Sequence, residues 1–205
     1  NHVQMTYYYL FIILFMIIAY LVDAIRKKRM AQFVKATAVC AAGALIGILM
    51  NISNLYHTWQ YAQESMRGKS ELVKKDATNQ TSSGLDRDYI TQWSYGVDET
   101  WTLLVPNAKG GASVPLAANT DAMKKADPNF MQIYQQLGQY WGDQPGTSGP
   151  VYVGAFVLML FILGLFIVKG PIKWALLAAT ILSILLSWGH NFMPFTNFFL
   201  DYIPM

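Results

Sequence analysis

Hydrophobic positions along this chain gather into four runs, with one long mixed stretch between the second and the third. The runs cover residues 7–22 ("YYYLFIILFMIIAYLV"), 33–55, 151–168 and 174–188. Each is nearly long enough to cross a bilayer as a helix, which takes roughly 20 residues. Lys35, near the start of the second run, can snorkel its ammonium group toward water. The fourth run is the shortest and needs its flanks, from Pro171 to Asn191, to span.

The mixed stretch divides into smaller pieces. "LYHTWQYAQESMRGKSEL" holds no Pro and predicts a helix that continues the second run above the membrane to about Gly68. "KKDATNQTSSGLDRD" is polar and rich in turn formers, the composition of an exposed loop. "DYITQWSYGVDETWTLLVPNAKGG" reads as a packed loop or a short strand, since its periodicity fits neither template. In "DPNFMQIYQQLGQYWG", Asp127 is placed to cap a helix with Pro128 at its first position. Asn51-Ile-Ser and Asn79-Gln-Thr match the short N-glycosylation pattern.

Charge orients these runs. Arg26, Lys27, Lys28 and Arg29 lie between the first and second, while Lys169 and Lys173 flank the turn between the third and fourth. The positive-inside rule puts both turns in the cytoplasm and the long middle stretch outside. Residues 51–149 carry 8 Lys/Arg against 10 Asp/Glu, whereas 7 of the other 9 charges are basic. The prediction is an all-α polytopic membrane protein with four transmembrane helices and a large extracytoplasmic loop of short helices and irregular structure. It divides into a transmembrane hairpin (1–55), an extracytoplasmic segment (56–149) and a second hairpin with an outer tail (150–205).

Composition narrows the chemistry. The chain is 54% hydrophobic and 13% charged, against about 25% charged for a soluble domain. The single Cys40 excludes an internal disulfide framework and a Cys-based zinc site. A net charge of +3, scattered along the chain, excludes a nucleic-acid footprint. Nucleophile-elbow, P-loop, HExxH and dinucleotide-binding motifs are missing. The runs hold almost no charge away from their ends, which argues against an ion pathway.

Candidate residues fall on the outer side. His2, His57 and His190 each adjoin a run's outer end, where they can serve acid–base work, phosphate binding or metal ligation. They can equally be interfacial residues within Tyr and Trp belts. Asp98 and Glu99 are adjacent carboxylates among Trp93, Tyr95 and Trp101, suited to a base, a divalent-cation ligand or a structural contact. On a strand they would face opposite ways, so a shared ligand requires a loop. Asp143 and Gln144 can hydrogen-bond sugar hydroxyls while Trp141 stacks on the ring. Arg67 suits a lipid phosphate, or is solvated surface charge.

Four stretches, "NHVQMTYYYLF", "TWQYAQESMRGKSEL", "YWGDQPGTSGPVYVG" and "WGHNFMPFTNFFLDYIPM", resemble the YfhO family of large bacterial membrane proteins. The resemblance follows the same order over most of the chain, and the last two stretches carry it most specifically. It implies a GT-C-type glycosyltransferase that takes sugar from a polyprenyl-phosphate donor at the outer face of the bacterial cytoplasmic membrane and passes it to a glycan acceptor. It also implies that this chain is a middle portion, with the catalytic carboxylate in a preceding outer loop, so no catalytic residue is assigned. His2, Arg67, Asp98, Glu99, Trp141, Asp143, Gln144 and His190 are then expected to line a donor or acceptor site, with a divalent cation as a possible cofactor of the full-length protein. The alternative is a non-enzymatic assembly or transport component whose outer segment binds a partner or glycan.

Overall fold

The computed structural model describes residues 3–64, 86–147, 149 and 151–203. In chain order its helices and strands are α1 (Val3–Arg26), α2 (Met30–Met50), α3 (Ile52–Glu64), α4 (Arg87–Thr91), β1 (Gly110–Pro115), α5 (Thr120–Met123), α6 (Met131–Gln136), β2 (Gly138–Tyr140), α7 (Ala155–Ile167), α8 (Ile172–Ser187) and α9 (Met193–Tyr202). Short 3-10 turns include Val97–Leu103 and Gly189–Phe192. The chain is mostly helical.

Two of these helices, α1 and α2, are individually long and apolar enough to cross a membrane. Helix α2 has no buried residue, so its apolar surface is left for a nonpolar surrounding rather than a protein core. The third apolar run is helical over only 13 residues, roughly 20 Å, short of a hydrocarbon core of about 30 Å. The fourth forms α8 and then turns by 108° into the segment Gly189–Tyr202, a pair that counts as one further span if taken together. Where hydropathy leads one to expect four spans, the described residues hold two full helices, one short helix and one bent pair. Residues 151–154 are not helical, and Gly154, Gly170 and Gly189 take positive φ at the ends of these helices, features that apolar character does not register.

The helix expected to continue the second run is interrupted. Asn51 leaves the helical line (φ −108°, ψ 7°), and its side-chain amide donates to Gly47 O at 3.1 Å. This local side-chain bond competes with the helical ladder, as Asn characteristically does. Helix α3 then runs to Glu64; residues 65–85, which include Arg67, Lys69, Asn79 and most of the polar loop, lie outside the described residues.

The chain forms two compact units. The first holds residues 1–90, 164–183 and 197–205. There α1 packs on α2 through a tight turn with Lys28 in the left-handed region (φ 55°). Phe11 meets Phe199 at 5.5 Å between ring centres, and Ala24, Ala175, Phe199 and Leu200 are buried. Arg87 binds Asn197 at 2.8 Å and Asp201 at 2.5 Å, tying α4 to α9.

The second unit holds residues 91–163 and 184–196. Its β1 and β2 pair antiparallel, with Gly110 opposite Tyr140 and Pro115 opposite Gly138 across an irregular register. The stretch 88–111, expected to be a packed loop or a short strand, instead holds most of α4 and the 3-10 turn Val97–Leu103 and meets β1 only at Gly110 and Gly111. Asp127 accepts from Asn129 N at 3.0 Å, the expected cap, but the element it starts is only a 3-10 turn followed by α6.

Candidate functional site

The second unit is organised around one carboxylate. Glu99 is 1% exposed, the most deeply buried large side chain among the described residues. It occupies the third position of the 3-10 turn, and from there its Oε1 reaches back to accept the N–H of Gly96 at 3.0 Å, half of a capping box. Oε1 also accepts the N–H of Asp143 at 2.7 Å, and Oε2 accepts the Tyr140 hydroxyl at 2.7 Å. A buried carboxylate is tolerable only when its lone pairs are so engaged.

Tyr140 transmits this anchor. Its oxygen donates to Glu99 and accepts the N–H of Gln144 at 3.1 Å. Burial, then the bond to Glu99, pushes its hydroxyl pKa up to about 12. Two glycines make room. A Cβ at Gly142 would strike Tyr140 Oη and Glu99 Oε1, and one at Gly149 would stand 2.5 Å from Glu99 Oε2. Residues 140–147 and Gly149 are therefore folded over Glu99 as a cover in which Gly142 and Gly149 are required by close approach.

A second layer joins this cover to the turn after α8. Gln144 Nε2 donates to Trp93 O at 2.7 Å. Asn191 Nδ2 donates to Tyr95 O at 3.1 Å and to Asp143 Oδ2 at 3.2 Å. Trp188 Nε1 donates to Thr100 Oγ1 at 2.8 Å. Gly189 has φ +43°, and a Cβ there would run into the Ser94 side chain. Ser94 Oγ accepts the N–H of His190 at 3.1 Å and donates to Thr91 O at 2.7 Å.

His190 is exposed, with Nδ1 3.1 Å from Thr91 O. A carbonyl oxygen only accepts, so in this contact Nδ1 is the donor. Asp98, one residue from Glu99, has the opposite fate: it is exposed and paired with Lys109. The hydrogen bond to Lys109 holds the Asp98 carboxyl below its usual range and raises the Lys109 ammonium. The adjacent acids are thus split, one to the interior and one to the surface, by the 3-10 geometry.

Of the residues singled out from sequence, Glu99, Asp143 and Gln144 belong to one connected hydrogen-bond network, and His190 bonds beside it to Ser94 and Thr91. Trp141 is held beside it with 72% of its surface exposed, and Asp98 stands next to it in sequence with Lys109. His57 lies in the first unit, on α3, where its ring meets Tyr56. His2 and Arg67 lie outside the described residues. Sequence reasoning missed Tyr140, Asn191, Ser94 and the glycines 142 and 149; the density of Gly around "YWGDQPGTSG" was the one available signal.

The arrangement does not fit a divalent cation. Glu99 is occupied by donors, Asp98 by Lys109 and Asp143 by Asn191. Among the described residues no group of three His, Cys, Asp or Glu side chains could share a metal ion. What the network does present outward is an aromatic ring, an acceptor and amide groups on a fixed backbone: Trp141, Asp143, Gln144 and Asn191. No protein-family model, curated protein or solved structure matches this chain.

Proposed function

We propose that this chain is part of a membrane glycosyltransferase that uses a polyprenyl-phosphate sugar at the outer membrane face, and that the Trp141–Gln144 cover is its carbohydrate-contacting rim. The observation that carries this reading is an exposed Trp141 next to Asp143, on a backbone clamped by a buried Glu99. A sugar offers an apolar C–H face and a fringe of hydroxyls. An exposed indole covers the first, and a carboxylate with neighbouring amides pairs the second.

In this reading the third and fourth apolar runs complete a four-span arrangement, and the basic turns face the cytoplasm. Glu99 is a positioning residue: its oxygens hold the backbone of Asp143 and the hydroxyl of Tyr140, and it touches no substrate. No residue of this chain is assigned the role of catalytic base. His190, with Nδ1 bonded to Thr91 O, holds its ring beside the cover, where it can meet a sugar hydroxyl.

The test is transfer by the full protein. Trp141→Ala and Asp143→Ala should each lower transfer while leaving the membrane level of the protein unchanged. Unchanged transfer in both removes the rim from the site. The second reading, an assembly component that binds a glycan without turnover, is favoured by the complete engagement of the buried carboxylate. It predicts saturable glycan binding, lost in Trp141→Ala, with no sugar transferred.

A further inference from the structure

We infer that the first unit carries a binding site for an anionic phospholipid, in the cavity between the basic end of α1 and the start of α8. It is an open cleft of about 680 Å³, inside the range of roughly 300–1,000 Å³ typical of ligand sites. One wall is a single stripe of α1: Phe15, Ile18, Ala19 and Val22, continued by Asp23, Arg26 and Lys27. This is i, i+3, i+4 spacing, so the stripe passes from apolar to basic over about 18 Å of helix. The opposite wall is Lys173, Trp174, Ala175 and Ala178 of α8. The small side chains of Ala19 and Ala178 leave the space open.

The polar end does not balance its own charge. Arg26, Lys27 and Lys173 face one carboxylate, Asp23, which pairs with Lys27 at 2.9 Å. The Arg26 side chain is exposed and has no hydrogen-bond or ion-pair partner among the described residues. Lys173 is held in place by donating to Leu165 O at 2.6 Å and by lying 5.2 Å from the centre of the Trp174 ring. One ammonium proton is thereby used, and others remain for a ligand. A phosphodiester complements this excess of cations, and an acyl chain complements the apolar stripe leading away from them. Both properties occur together in an anionic lipid of the leaflet that meets the basic helix ends.

The inference does not depend on the glycosyltransferase reading, and its test is binding alone. The full chain in neutral detergent micelles is titrated with phosphatidylglycerol or phosphatidylcholine, with bound lipid counted by native mass spectrometry. Phosphatidylglycerol should bind and phosphatidylcholine should not. Arg26→Gln with Lys27→Gln removes two exposed charges and should weaken phosphatidylglycerol on the order of 30-fold. Ala178→Phe fills the apolar wall without touching a charge and should also abolish binding. Equal binding of the two lipids, or unchanged binding in either variant, overturns the site. Displacement of the lipid by inorganic phosphate at equal concentration would mean a small-anion site and overturns the lipid assignment.

Discussion

Glu99 and Tyr140, 41 residues apart in the chain, meet through a 2.7 Å bond from the phenol oxygen to Oε2. This contact joins two stretches that sequence alone marks as separately interesting. It makes Asp143, Gln144 and Trp141 parts of one fixed surface. Removing the hydroxyl by Tyr140→Phe leaves Glu99 one donor short and Gln144 N without its acceptor. The expected loss is about 2 kcal/mol, because bonds to charged groups are worth roughly 1.5–3 kcal/mol. Urea denaturation in detergent measures it.

The same contact has a pH signature. The Tyr140 pKa lies near 12 in the folded protein, above its ordinary value of 10.0. The folded state therefore holds the proton more tightly. Its stabilisation is fully present below pH 10 and is lost as pH rises from there through about 12. The difference in stability between the native chain and Tyr140→Phe should shrink over that window. A constant difference from pH 9 to 12 would show that Tyr140 titrates normally.

Truncation of Glu99 should be far worse than its amidation. Glu99→Ala strands the Gly96 and Asp143 amides and the Tyr140 hydroxyl, a loss of about 4 kcal/mol when several buried partners go unpaired. Glu99→Gln keeps one oxygen for the two amides, and its new NH₂ donates to Tyr140 Oη, so about 1–2 kcal/mol is expected. Asp98→Asn, at the exposed pair with Lys109, should leave the fold intact. Limited proteolysis distinguishes the three, with early cleavage of the 140–147 stretch expected in Glu99→Ala alone.

Glycine substitutions separate crowding from open space. Gly142→Ala collides with Tyr140 and Glu99, and Gly189→Ala collides with Ser94 at a positive φ. Each should cost several kcal/mol and lower the melting temperature clearly. Gly43→Ala, inside α2 with nothing within 4 Å of the added carbon, should instead be neutral or stabilising by up to about 1 kcal/mol. If all three variants melt alike, the cover is not packed on Glu99.

The sequence by itself determined a membrane-associated, mostly helical chain. It also marked the two basic turns, the mixed character of the middle stretch and the Asp127 cap, because composition and capping chemistry are local. Hydropathy measures apolar character, not whether helical backbone hydrogen bonds continue through Val151–Gly154 or past Trp188, so it does not separate a full helix from a short or bent one. Only tertiary structure decided the fate of the acids. Adjacent letters Asp98 and Glu99 look alike in sequence, yet the turn sends one to Lys109 at the surface and the other inward to Tyr140 and Asp143. Burial of Glu99 depends on donors from residues more than 40 positions away, so no local pattern records it. The same holds for the cavity of the first unit. Its apolar and basic stripe is visible along α1, but its second wall comes from α8, and only their placement side by side makes a cleft.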